Sequence, residues 1–131
     1  MKLWFFNRLT CLAEFDVDLN KQTVSMTRIN YDPLWSPFQQ QSPSFSDFEW
    51  FLETRCFPRQ RYNLKELLRL FDLDHYDPWR IVVKTHGTVA NDPCWLLFET
   101  DIGDIEVPLL GGVLNVNATK IRSEACRTLD M

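Results

Sequence analysis

The stretch Thr10-Cys11-Leu12-Ala13-Glu14-Phe15-Asp16-Val17-Asp18-Leu19 decides the fold class. Cys11, Ala13, Phe15, Val17 and Leu19 fall on one face of an extended chain, while Thr10, Leu12, Glu14, Asp16 and Asp18 fall on the other. Side chains alternate across a strand, so a period of two with an apolar and an acidic face predicts a half-buried strand. Working outward, Leu3-Trp4-Phe5-Phe6 is a short apolar run that ends at Asn7-Arg8. On the other side Asn20-Lys21 reads as a tight turn, and Thr23 to Tyr31 returns as a third strand. There Val24 and Met26 share one parity and Ile29 and Tyr31 the other, which predicts a bulge near Thr27-Arg28. The first third is thus a three-stranded β-meander, followed by a polar, proline-bearing loop from Asp32 to Ser44.

Capping chemistry predicts three short helices next. Ser46-x-x-Glu49 has the form of a capping box, opening a helix with Phe48, Trp50, Phe51 and Leu52 that must end before Pro58. Asn63-x-x-Glu66 opens a second, with Leu64, Leu67, Leu68 and Phe71 spaced as a core-facing stripe. Asp77-Pro78 opens a third, aspartate capping and proline at the first helical position, with Gly87 as its stop. Cys94 to Phe98 is a dense apolar run that reads as a buried strand, and Val107 to Val116 reads as a hairpin around Gly111-Gly112. The last fifteen residues of the sequence are expected to fray. The expected fold is α+β: an antiparallel meander packed with three helices and closed by C-terminal strands.

Composition narrows the function. The 131 residues hold 14 basic and 18 acidic side chains, a net charge of -4, with four glycines and 18 aromatic residues counted as Phe, Trp and Tyr. A chain of this size supports one domain, residues 1–131, and its aromatic content is that of a globular protein. Neither a Gly-x-Gly-x-x-Gly nor a Gly-x-x-x-x-Gly-Lys occurs, so kinase and NTPase chemistry is not expected. Cys11, Cys56, Cys94 and Cys126 stand at least 32 positions apart, which excludes zinc doublets and a redox Cys-x-x-Cys. They are read as core thiols of a cytoplasmic protein; Asn7 and Arg8 interrupt any export signal, no membrane segment is seen, and the sequon at Asn117 is then without consequence.

A series of short motifs resembles a known family. It runs from the N-terminal hairpin with its acidic strand through Tyr31-Asp32-Pro33 to Arg55-Cys56-Phe57-Pro58-Arg59-Gln60-Arg61. A leucine-rich helix and Asp92-Pro93-Cys94-Trp95 complete it. Residues 3–98 in this order resemble the N-terminal, non-kinase region of HipA-like proteins of Gram-positive bacteria and their mobile elements. In that family the region precedes a serine/threonine kinase-like domain, and related free-standing pieces act as antitoxin subunits that inhibit a separate kinase. The resemblance therefore implies a regulatory piece that binds a partner; residues 99–131 are then an extension of the family-like core.

Candidate sites follow from chemistry and charge. Cys94 with His86 and Asp92 is the best available arrangement for a thiol enzyme, against the simpler reading of a buried cysteine beside a capping aspartate. Asp72, Asp74 and Asp77 around His75 are the one oxygen-rich cluster, but helix ends account for them and no metal or cofactor is expected. Arg59, Arg61, Lys65 and Arg69 form a basic stripe able to meet an acidic surface, with the alternative that Arg55 and Arg61 hold carbonyls or carboxylates around the Pro58 turn. Glu14, Asp16 and Asp18 form one acidic run, and Glu99, Asp101, Asp104 and Glu106 another. Trp35, Phe38 and Phe45 are aromatic anchors if the loop that bears them is exposed.

The expected function is non-catalytic: a regulatory or inhibitory protein that binds a protein partner, an antitoxin-like subunit for a HipA-like kinase. The alternative is a phage or mobile-element anti-defence protein, similar to an anti-CRISPR, that turns its acidic patches against a host nuclease. No small-molecule substrate is expected, and nucleic acid would be reached only through the partner.

Overall fold

In the computed structural model, residues 1–28, 43–90 and 92–129 are described, with side chains for all of these but Arg28 and residues 125–129. The apolar run Leu3–Phe6 lies in strand β1 (Lys2–Asn7), the alternating stretch in β2 (Thr10–Asp18), and the return in β3 (Thr23–Arg28). The later apolar run is β4 (Cys94–Phe98). These four form one antiparallel sheet in the order β3-β2-β1-β4. Thus β4 closes the sheet beside β1, placing Leu3 between Phe15 and Phe98, and Phe5 between Ala13 and Leu96.

Both faces of β1 and β4 are buried, and each face has its own core. On one side Leu3, Phe5, Phe15, Leu96 and Phe98 pack under helices α1 (Phe45–Thr54), α2 (Leu64–Leu70) and α3 (Pro78–Thr85). Phe48, Phe51 and Ile81 reach down from α1 and α3 to meet them. On the other side Trp4, Phe6, Trp95 and Leu97 are covered by a second, two-stranded sheet, β5 (Asp104–Leu109) and β6 (Gly112–Asn117), and by helix α4 (Ala118–Leu129). Phe6 stacks on Trp95 with ring centroids 5.0 Å apart. Aromatic side chains bury on the order of 150–250 Å² each, so at roughly 25 cal/mol per Å² every one contributes about 4–6 kcal/mol before entropy is set against it.

A β-bulge that the sequence does not predict lies in β2, whereas the one expected near Thr27-Arg28 rests on Ile29 and Tyr31. Phe5 pairs with Ala13 but Phe6 with Cys11, so Leu12 is the extra residue of β2. The bulge turns Leu12 into the helix-side core and leaves Cys11 packed partly against the opposite core, reversing the faces expected for both. Pairing of β2 with β3 is regular from Asp18 opposite Thr23 to Ala13 opposite Arg28, and Ile29 and Tyr31 lie outside the described residues. Leu19 follows the end of β2 and is exposed.

Helix α1 begins two residues before the predicted box. Ser44 is the N-cap, its Oγ accepting from the Asp47 N–H while the Asp47 carboxylate accepts from the Ser44 N–H. Starting there puts Phe45, Phe48, Phe51 and Leu52 on the core stripe and turns Trp50 outward, 69% exposed. At α2 the predicted box is absent: Asn63 lacks the extended backbone of a side-chain cap (φ -101°, ψ 31°), and its side chain makes no capping bond. At α3 Asp77 caps as predicted, accepting from the Arg80 N–H, and Pro78 takes the first helical position. His86 ends α3 in the left-handed region and Gly87 follows at φ +62°, where a Cβ would stand 2.8 Å from Leu96 Cδ1. Within the last fifteen residues the chain forms α4, held by buried Ala118 and Ile121 and capped by Asn117 Oδ1, which accepts from the Lys120 N–H.

Candidate functional site

Arg55, at the end of α1, ties three segments together. Its guanidinium faces Asp92 with two parallel bonds of 3.2 and 3.1 Å, Nε donates to the Gly87 carbonyl at 3.0 Å, and Nη2 donates to the Cys94 carbonyl at 3.0 Å. The same group lies 5.4 Å from the centre of the Phe5 ring. Burial pushes the Asp92 carboxyl up, but the Arg55 guanidinium and the Cys94 N–H outweigh it and hold the group below the usual carboxylate range. Arg55 thus holds carbonyls and a carboxylate, but those of Gly87, Cys94 and Asp92 rather than any in the Pro58 turn where the sequence places them; Arg61 has no such role among the described residues.

Of the thiol constellation, Asp92 reaches the Cys94 thiol, but His86 is turned to another carboxylate. Burial pushes the Cys94 thiol up to about 12, and Asp92 is engaged with Arg55 and the Cys94 backbone. His86 points to Asp101 instead, its Nε2 lying 3.2 Å from the carboxylate. Cys56 is likewise buried, its thiol pushed up to about 12 chiefly by desolvation. His75 sits beside Asp74 and Asp77 at the surface, at 2.6 and 3.9 Å. Among the described residues no group of three or more His, Cys, Asp or Glu side chains is placed to hold a metal ion.

The acidic runs are partly absorbed by structure. Glu14 accepts from the Trp4 indole, and Asp18 accepts from the N–H groups of Asn20 and Lys21 in the turn. Asp101 accepts from the Phe98 N–H, and Asp104 accepts from the Asn117 amide. Asp16 and Glu99, far apart in sequence, meet on either side of the Met1 ammonium at 3.6 and 3.8 Å. Glu106 stays on the outer face of β5, opposite Asn115.

The basic stripe splits in a similar way. Arg59 is paired with Glu53 at 2.8 Å and lies 4.3 Å over the Tyr76 ring, so it belongs to the packing of the Pro58 turn. Arg61, Lys65 and Arg69 are exposed and make no ion pair among the described residues. Tyr62 and Leu70 of the same segment are 98% and 78% exposed. Of the expected aromatic anchors, Phe45 belongs to α1 and packs on Phe48, while Trp35 and Phe38 lie outside the described residues.

A feature the sequence reading missed lies between α2, α3 and the hairpin. A depression of about 400 Å³ is walled by Phe57, Leu67, Phe71, Ile81 and Val89, with Arg61 at its lining. A second, of about 410 Å³, shares Thr88, Val89 and Ala90 with it and continues to Pro108, Leu109 and Leu110. Neither has a periodic signal, because the walls come from a turn, two helices and a hairpin that meet only in the fold. No helix among the described residues is long and apolar enough to cross a membrane. No family model matches the chain, and no curated protein or solved structure matches it either.

Proposed function

We propose that this chain is a non-catalytic regulatory protein that binds and inhibits a protein partner through the outer side of α2. The observation that carries the reading is that Arg61, Lys65 and Arg69 stand exposed without an ion pair among the described residues, beside exposed Tyr62 and Leu70. Cationic groups interleaved with apolar side chains are the composition of a protein-recognition surface, and here they suit an acidic partner. In support, Cys94, Asp92 and His86 are committed to burial and to structural bonds. The target to which the motif resemblance points is a HipA-like kinase, and the buried free thiols of Cys56 and Cys94 agree with a reducing cytoplasmic setting. The test is inhibition and co-purification of a HipA-like kinase from the native host. Lys65→Glu with Arg69→Glu is expected to abolish both while the melting temperature holds; equal inhibition by the reversed chain sinks the reading.

The meeting of Asp16 and Glu99 at one end of the sheet favours a second reading, inhibition of a defence nuclease by an acidic surface. Reversing Glu99, Asp104 and Glu106 to lysine would then remove inhibition of the nuclease. Unchanged inhibition would rule out the acidic surface.

A further inference from the structure

Resting on the partner-binding reading, we propose that the trench beside α2 is the peptide-recognition site. Its occupant is an extended segment of the partner in which bulky apolar side chains alternate with carboxylates.

The apolar half of this specificity comes from the walls. Phe57, Leu67, Phe71 and Val89 line the first depression, and Leu109 and Leu110 continue the second. Leu70 follows Leu67 by one helical turn and is exposed, so the wall extends outward along α2. Depressions of about 400 and 410 Å³ are within the size range of ligand sites. Thr85 and Thr88 also line the first depression, but their hydroxyls already donate to the Ile81 and Thr85 carbonyls. They therefore present mainly methyl groups and acceptor lone pairs.

The acidic half comes from two guanidinium groups at the two ends. Arg61 lines the first depression and has no ion pair among the described residues. Arg8 is not itself a wall of the second depression but donates to the carbonyl of Leu110, which is, at 2.7 Å. A guanidinium beside an apolar wall favours a carboxylate because its several N–H donors form paired, charge-assisted bonds to the two oxygens. An extended peptide sends alternate side chains to opposite sides, so it can seat apolar groups in the trench and bring carboxylates to its margins. The Thr88–Ala90 segment shared by both depressions lies under its middle.

The test uses the full chain and a fluorescein-labelled octapeptide of alternating leucine and glutamate, with a leucine–glutamine octapeptide as control. Fluorescence polarisation is expected to give saturable binding, about tenfold tighter for the glutamate peptide. Amide resonances of Leu67, Thr88, Val89 and Ala90 are expected to shift on titration. Arg61→Gln, at an exposed position, is expected to reduce the preference for glutamate severalfold and leave the apolar part of the binding intact. Val89→Asp is expected to weaken both peptides. Absence of saturable binding, equal affinity for the two peptides, or shifts confined to the outer face around Lys65 and Arg69 would each overturn the proposal. Displacement of the peptide by decanoate at concentrations below the peptide's own Kd would overturn it in favour of a fatty-acid pocket. A chain that takes the peptide but leaves the kinase unaffected would defeat the preceding reading alone; kinase inhibition that survives Arg61→Gln and Val89→Asp without peptide binding would defeat this one alone.

Discussion

Replacing Arg55 by methionine keeps much of the side-chain volume and removes one guanidinium from a site where only 7% of the residue is exposed. The substitution leaves the buried carbonyls of Gly87 and Cys94 without the donors that reach them at 3.0 Å. It also leaves Asp92 without its bidentate partner, although that side chain is 30% exposed and water recovers part of the loss. Unsatisfied buried acceptors cost about 1–3 kcal/mol each, and the carboxylate adds a discounted share, so the expected destabilisation is about 3–5 kcal/mol. For a chain of this length that lowers Tm by roughly 10–20 °C. Urea unfolding followed by fluorescence of the buried Trp4 and Trp95 reads it, and Asp92→Asn, which spares the carbonyl contacts, is expected to lose only about 1–2 kcal/mol. The double variant should lose less than the sum because the groups share one network. The carboxyl of Asp92 is held below its ordinary 3.8, so its contribution is present above that value and is lost as pH falls through the folded-state value. The stability gap between wild type and Asp92→Asn should therefore be constant above about pH 5 and narrow below 3.8. A loss under about 1 kcal/mol for Arg55→Met would refute the view that this side chain ties α1 to the loop and to β4.

Two further outcomes probe the fold. Ser44→Ala should cost about 1 kcal/mol and Ser46→Ala only a few tenths, measured by urea unfolding, because only Ser44 accepts from the helix start; equal costs would put the cap elsewhere. Cys56 and Cys94 should resist iodoacetamide at pH 8 in the folded chain, since burial holds both thiols near 12. Because an unfolded cysteine titrates near 9.0, stability should fall as pH rises from 9 toward 12. Rapid labelling of Cys94 by mass spectrometry, or unchanged stability at pH 10, would contradict that burial.

Much of the scaffold is legible in local pattern. The alternation along β2, the Asp77-Pro78 start, the Gly111-Gly112 hairpin and the apolar run of β4 all correspond to elements of the structure. The bulge was hidden because it depends on how many residues the partner strand contributes, although Leu12 was the one apolar residue on an otherwise polar face. The start of α1 was ambiguous for a different reason. Ser44 and Ser46 each precede an acid by three residues, and docking of Phe45 against Phe48 favours the earlier cap. Of the basic stripe, helical spacing identified the exposed residues of α2, but Arg59 is removed from it by Glu53 and Tyr76, which approach through a turn that no periodicity describes.

The trench has a deeper origin in the pattern of the central strands. Leu3-Trp4-Phe5-Phe6 and Cys94-Trp95-Leu96-Leu97-Phe98 are apolar on consecutive positions, so a strand built from either presents apolar groups on both faces. Such strands need two covers. Three helices cover one face, and the hairpin with α4 covers the other, which brings Val107, Val116, Ala118 and Ile121 into a core. With layers on opposite sides of the sheet, the link from α3 to β4 must pass between a helical layer and the hairpin. Thr88, Val89 and Ala90 lie on that link, walled by α2 on one side and Leu109-Leu110 on the other. The same double burial that stabilises β1 and β4 thus leaves a seam with apolar walls at the boundary between layers, with Arg61 at its lining.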